Sequence, residues 1–261
     1  MSVLVRSVQL LGRAAVRSVV AIGRSGYLAI DALHALRKLD LWGPHLGAQM
    51  ARIGVESVPI ALFIAVFTGM VLALQASYGF SDRVPLYFVG ALVGKSMILE
   101  LGPVLTALAL AGRVGATIAA ELGTMRVTEQ IDALETLAYD PVAYLVVPRV
   151  IAGAIMFPMV VLLANTTGIL AGWGTSLALL DMSSQQFVRG LRIFFDPFDV
   201  QFSVIKSTSF GIVVTGVGSS FGFHARGGAE GVGQATTRAV VVATVIILAL
   251  DAFWAAVLLE T

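Results

Sequence analysis

A serine, a histidine and an aspartate stand where nucleophilic chemistry would need them. GSSFG at Gly218 to Gly222 fits a G-x-S-x-G pattern, His224 follows closely, and Asp251 lies in the next apolar run. Such a nucleophile needs a strained strand-to-helix elbow to expose its hydroxyl. Here the flanking sequence is a long apolar run rich in Gly and Ser, where no elbow is expected and a chance match is easy. An intramembrane serine hydrolase around Ser220 therefore stands only as a remote alternative. GALVGKS at Gly90 to Ser96 resembles a phosphate-binding loop, yet that motif needs four residues between its glycines and this one has three. Any ATP hydrolysis must then reside on another chain. His34, His45 and His224 show no metal-ligand spacing, and the absence of cysteine excludes disulfides, thiolate metal sites and a cysteine nucleophile.

Charges inside apolar runs are costly, which singles out Glu56, Lys95, Glu100, Lys206 and Asp251. Glu100, Lys206 and Asp251 come from three different runs and could neutralise one another, either as a structural network or as a substrate contact.

A polar interruption, GRVGATIAAELGTMRVTEQIDALETLAYDPVAYLVVP at Gly112 to Pro148, separates two long apolar runs. Within it Ile131, Leu134 and Ala138 recur at helical spacing, with Glu129, Asp132 and Glu135 roughly opposite at about 100° per residue. The spacing predicts a short amphipathic helix from Thr128 to Ala138, capped by Thr128 and ended by Pro141 through its effect on Asp140. Anionic lipid would repel three carboxylates, so docking on another protein is favoured over lying on the membrane. In that docking Ile131 and Leu134 would fill a groove while the carboxylates pair with basic residues beside it.

These elements need a scaffold, and composition supplies its class. Of 261 residues 57% are hydrophobic and 13% charged, with a mean hydropathy of +0.90. That is more apolar surface than a soluble domain can bury, and runs of 20 or more apolar residues indicate helices and not barrel strands. The expected fold is an all-α integral membrane protein with about five transmembrane helices, near residues 53–76, 86–111, 142 to between 165 and 180, 200–222 and 239–259. The third run is long enough to be two short spans, and Asn165, Thr166, Thr167 and Gly168 interrupt it. Gly90 with Gly94, Gly168 with Gly172, and Gly218 with Gly222 are spaced for close helix crossings.

Residues 1–48 form a separate expected segment ahead of a transmembrane domain at 49–261. Arg6, Arg13, Arg17 and Arg24 fall within about 20° of one line on a helix, with Val8, Leu11, Ala15, Val19 and Ile22 on the other face. This describes an amphipathic helix lying in the membrane interface. Arg37, Lys38, Arg52, Arg113, Arg126, Arg149, Arg226 and Arg238 fall on the same side as that helix, against Arg83, Arg189 and Arg192 on the other. The positive-inside rule then makes the amino terminus and the acidic helix cytoplasmic and puts the carboxyl terminus outside. Asp181 to Asp199 becomes an external loop or short surface helix.

ELGPVLTALALAGRVGATIAAELGTMRVTEQIDALETLAYDP, Glu100 to Pro141, resembles the MlaE (YrbE) family of ABC-transporter permeases. GFHARGGAEGVGQATTRAVV, Gly222 to Val241, is similar to the family's second signature, and the likeness runs over nearly the whole chain. Many members carry Arg before the Glu-Leu-Gly-Pro run where this chain has Leu99, so a lipid-headgroup role does not carry over to that position. The resemblance implies a homodimeric permease of the bacterial inner membrane that moves phospholipids between inner and outer membranes. It implies a cytoplasmic ATPase using ATP and Mg, a periplasmic ring of MCE-domain lipid-binding protein, and often a STAS-domain subunit. No cofactor on this chain and no nucleic-acid partner are implied. It also makes the acidic helix a coupling helix, with Glu121, Arg126, Glu129, Gln130, Ile131, Asp132, Leu134 and Glu135 as ATPase-coupling residues. Lipid would pass through a cavity between two protomers lined by spans one, two and five, touching Leu74, Tyr78, Leu99 and Glu100. A sterol importer is the alternative within the same class, because related permeases serve such systems.

Overall fold

The computed structural model describes residues 23–79 and 85–259, and every regular element among them is helical. Arg6, Arg13, Arg17, the apolar face from Val8 to Ile22, Arg83 and Thr261 lie outside the described residues. Helix α1 is described over residues 23–35; its Ala35 is buried against Ala143 and Val147. Helix α2 (Leu39–Ile53), a 3₁₀ turn at Val55–Ser57 and α3 (Val58–Gly79) make the first membrane-length run. The second joins α4 (Tyr87–Ser96), α5 (Gly102–Leu110) and α6 (Ala116–Val127) through π-helical turns at Met97–Leu101 and Ala111–Gly115. A short α7 (Gln130–Thr136) follows, and then a π turn at Val142–Val146 leads into α8 (Val147–Leu179). Helix α9 (Ser184–Ile193) precedes α10 (Pro197–Phe223) and α11 (Gly228–Leu259). Among the described residues, five helical runs are long and apolar enough to cross a membrane.

The third run is one helix, not two. Its 38 residues span about 57 Å at 1.5 Å each, well beyond an apolar slab of about 30 Å, so it projects past the membrane. Its polar cluster is bonded in place except for the buried Asn165 Oδ1, which has no partner among the described residues. The Asn165 amide donates to Ser203 Oγ at 3.1 Å, and the hydroxyls of Thr166 and Thr167 return to the carbonyls of Leu162 and Leu163 at 2.8 Å.

Close crossings hold the bundle together. A Cβ on Gly69 of α3 would collide with the Gly168 carbonyl of α8, and Gly172 meets the Gly69 carbonyl one turn on. Gly218 and Gly222 of α10 lie on the backbone of Gly115 and Ala119, while Gly90 and Gly94 take the Phe187 backbone and the Leu191 side chain of α9. All three spaced glycine pairs therefore sit at crossings, where backbone approach replaces the hydrophobic drive that lipid cannot supply. Helix α8 is the centre, with 61% of its apolar window buried, against 28% for the α2–α3 run and 11% for α11. The outer faces of α3 and α11 thus present apolar side chains without a partner among the described residues.

Candidate functional site: a buried charge trio and a polar tip

The Lys206 side chain on α10 is completely buried. Its Nζ donates to Glu100 Oε2 at 2.5 Å and to the Leu99 carbonyl at 3.0 Å, and lies 2.5 Å from Asp251 Oδ1. Glu100 and the Leu99 carbonyl each accept one of the ammonium's three protons, whereas Asp251 Oδ1 is an ion-pair neighbour that accepts no hydrogen bond. The π turn at Met97–Leu101 inserts the extra residue that turns Glu100 and the Leu99 carbonyl toward α10. Asp251 is 14% exposed and Glu100 46%, so the open edge of the trio is a carboxylate. Glu100 and Asp251, two charges that could neutralise Lys206, both lie against its ammonium. Leu74 and Tyr78 lie on the outward face of α3, Tyr78 almost wholly exposed. Both α3 and α11 pack on α5.

The opposite end of the chain's spans carries a ladder of ion pairs. Arg113 reaches Glu56 at 2.9 Å and Ser57 Oγ at 2.6 Å; Glu121 takes Arg52 and Arg149, each at 3.0 Å. Arg149 is buried and also donates to the Leu145 carbonyl. Sequence reasoning counted it only as loop charge; its position between Pro148 and an apolar run was the available hint. Lys38 holds Asp140 at 2.8 Å, and the amides of Val142 and Ala143 donate to the same carboxylate, starting the third run. Burial pushes the Asp140 carboxyl up, but Lys38 and the two amides outweigh it and leave it below its ordinary value.

At the tip, α7 corrects the sequence reading in three respects. Glu129 precedes it in the left-handed region at φ 62°, and the Thr128 hydroxyl does not cap it but turns back to the Thr124 carbonyl at 2.8 Å. The helix ends at Thr136, before a left-handed Ala138 at φ 60°, and not at Pro141. Its apolar face also points inward. Ile131 is wholly buried in this chain's core and Leu134 packs against the same cluster, so neither is free to fill a partner's groove. Arg126 pairs with Asp132 at 2.6 Å and ties α6 to α7. What the tip exposes is Glu129, Gln130 and Glu135, together with Leu137 and Tyr139 just beyond the helix.

The two misleading motifs resolve as packing. Lys95 of the GKS stretch pairs with Asp199 at 2.7 Å. The GSSFG stretch is continuous α-helix, Ser220 Oγ shares a hydrogen bond with Ser25 Oγ at 2.7 Å, and His224 Nδ1 meets the Ser220 carbonyl at 2.9 Å, not the hydroxyl. Asp251 is committed to the trio, so the three groups form no triad.

Five membrane-length helices among the described residues, a charge cluster inside them and a polar tip joining the second and third runs define a multi-span helical membrane protein. The family model described as Permease MlaE matches residues 46–257, and the chain belongs to that family. A probable ABC transporter permease protein of Rickettsia prowazekii (strain Madrid E) is 38% identical over 245 residues, 94% of this chain and 95% of its own. The intermembrane phospholipid transport system permease protein MlaE of Haemophilus influenzae is 36% identical over 252 residues, 95% of each chain. The chloroplastic protein TRIGALACTOSYLDIACYLGLYCEROL 1 of Arabidopsis thaliana is 36% identical over 203 residues, 78% of this chain and 58% of that one. The chain is an ABC-transporter permease, a non-enzymatic subunit.

Proposed function

We propose that this permease moves phospholipids between the inner and outer membranes of a bacterial envelope, driven by ATP and Mg on a separate cytoplasmic ATPase. The observation that carries this reading is the end-to-end match to a Haemophilus permease named for phospholipid transport. Two copies would face each other across the apolar surfaces of α3 and α11, enclosing a cavity between Leu74, Tyr78, Leu99 and Glu100. A lipid with two tails needs more room than one bundle closed by glycine crossings provides.

The excess of Arg and Lys at the α7 end makes that end cytoplasmic and the α9 end periplasmic. The α7 tip then meets the ATPase through Glu129, Gln130, Asp132 and Glu135, with Leu137 and Tyr139 as its apolar contacts. Arg126 carries displacement of the tip into α6, and Glu121 carries it through Arg52 and Arg149 to α2 and α8. A ring of MCE-domain protein would take lipid at the periplasmic face, and a STAS-domain subunit would sit with the ATPase.

Mass spectrometry of lipid held by the purified complex tests the substrate class. Stoichiometric phospholipid is the expected result, and sterol in its place would overturn the reading.

A further inference from the structure

We propose that a second lipid site lies between α1, α8 and α10, where an anionic phospholipid of the α7-side leaflet binds with its phosphate on Arg24, Arg226 and Arg238. Two cavities meet there at the hydrogen-bonded hydroxyls of Ser25 and Ser220. One, of about 380 Å³, has apolar walls that include Leu28, Leu33, Ile151, Ile212 and Val217. The other, of about 260 Å³, is lined by the three arginines, His224 and Gln234. A greasy slot that opens into a basic hollow fits a molecule with a long apolar tail and an anionic head, and the volumes suit one chain and one headgroup.

Charge makes the assignment sharper. Lys38, Arg52, Arg113, Arg126 and Arg149 at the same end each hold a carboxylate. Among the described residues no carboxylate pairs with Arg24, Arg226 or Arg238, and residues 1–22 contain no Asp or Glu. Glu230, the nearest acid in sequence, is engaged by Gln234 at 3.3 Å and does not line the hollow. Gly227 and Gly228, at φ 93° and 67°, make the turn into α11, and Gly231 of its first turn lines the hollow. The positive end of a 32-residue helix therefore lies beside the three guanidinium groups. This gives the Gly222 to Val241 signature a task that transport through the α3 and α11 face leaves unassigned. It rests on the chain spanning a membrane and not on which molecule the permease carries.

The test uses the full chain in nanodiscs of phosphatidylcholine doped with phosphatidylglycerol whose acyl chain carries a diazirine. Photolysis should label α1, α8 and α10 at the slot, with competition by unlabelled phosphatidylglycerol but not by inorganic phosphate. Replacing both Arg226→Gln and Arg238→Gln should cut slot labelling roughly thirtyfold, at about fivefold per basic residue facing an anionic lipid. Gly216→Leu should abolish it by filling the slot, which Gly216 lines and where a Cβ meets no atom within 4 Å. Labelling at Leu74 on α3 and the elution volume should remain at wild-type levels in both variants. Slot labelling insensitive to the arginines, or equal with diazirine-phosphatidylcholine, would overturn the proposal. Competition by phosphate alone would make the hollow a free-anion site. Labelling that appears only after removal of residues 1–22 would assign the slot to the chain's own amino-terminal segment.

Discussion

Lys206 is the residue on which the most charge depends. Without it, Glu100 and Asp251 face each other with no cation, and Asp251 is nearly buried. Lys206→Met is therefore expected to cost about 3 to 5 kcal/mol, the usual loss when one partner leaves a buried ion pair. Thermal unfolding in detergent should show a large fall in Tm, whereas Glu100→Gln, at the half-exposed edge, should shift it little. An unchanged Tm for Lys206→Met would mean that the trio is not an ion-pair network. Asp140 gives a pH-dependent counterpart. Its folded carboxyl titrates below its ordinary value of 3.8, so its pairing adds stability above that value and loses it as pH falls through the folded one. Relative to intrinsic exchange, the Val142 and Ala143 amides should lose protection below that pH, and Asp140→Asn should lack part of the protection already at neutral pH.

Helix crossings carry the element scale. Gly69→Leu would drive a side chain into the Gly168 carbonyl, and overpacking of this kind costs at least about 1 to 3 kcal/mol. Loss of the monodisperse peak in size-exclusion chromatography is expected for it, while Gly174→Ala, whose Cβ meets no atom within 4 Å, should elute as wild type. Both glycine crossings and spans were legible, because apolar runs and four-residue spacings are one-dimensional features. The trio was legible for a related reason: charge in an apolar run must find a partner. Helix α7 was half legible. Periodicity shows that Ile131 and Leu134 share a face, but not whether that face turns toward the chain's own core or a partner. The π turns were hidden, since one extra residue per turn leaves an apolar run looking the same. Arg149 was hidden as well, because a loop-charge count does not reveal that Glu121 waits inside.

At the scale of the whole molecule, the proposed orientation rests on charge and span number. A cysteine placed at Thr261, in a chain without native cysteine, should react only from the periplasmic side; reaction only from the cytoplasm would contradict five spans. The larger consequence is mechanical. Ile131 anchors α7 in the core and Arg126 ties it to α6, so under the proposed coupling, movement imposed at the tip would be transmitted through a packed body. ATP-dependent transfer of fluorescent phospholipid between vesicles, by the permease reconstituted with its ATPase, measures this directly. With Asp132→Lys and Glu135→Lys combined, the permease should stay folded, co-purify less ATPase, and lose most ATP-dependent transfer. Wild-type co-purification and transfer by that variant would contradict the coupling of ATP hydrolysis to lipid movement through α7.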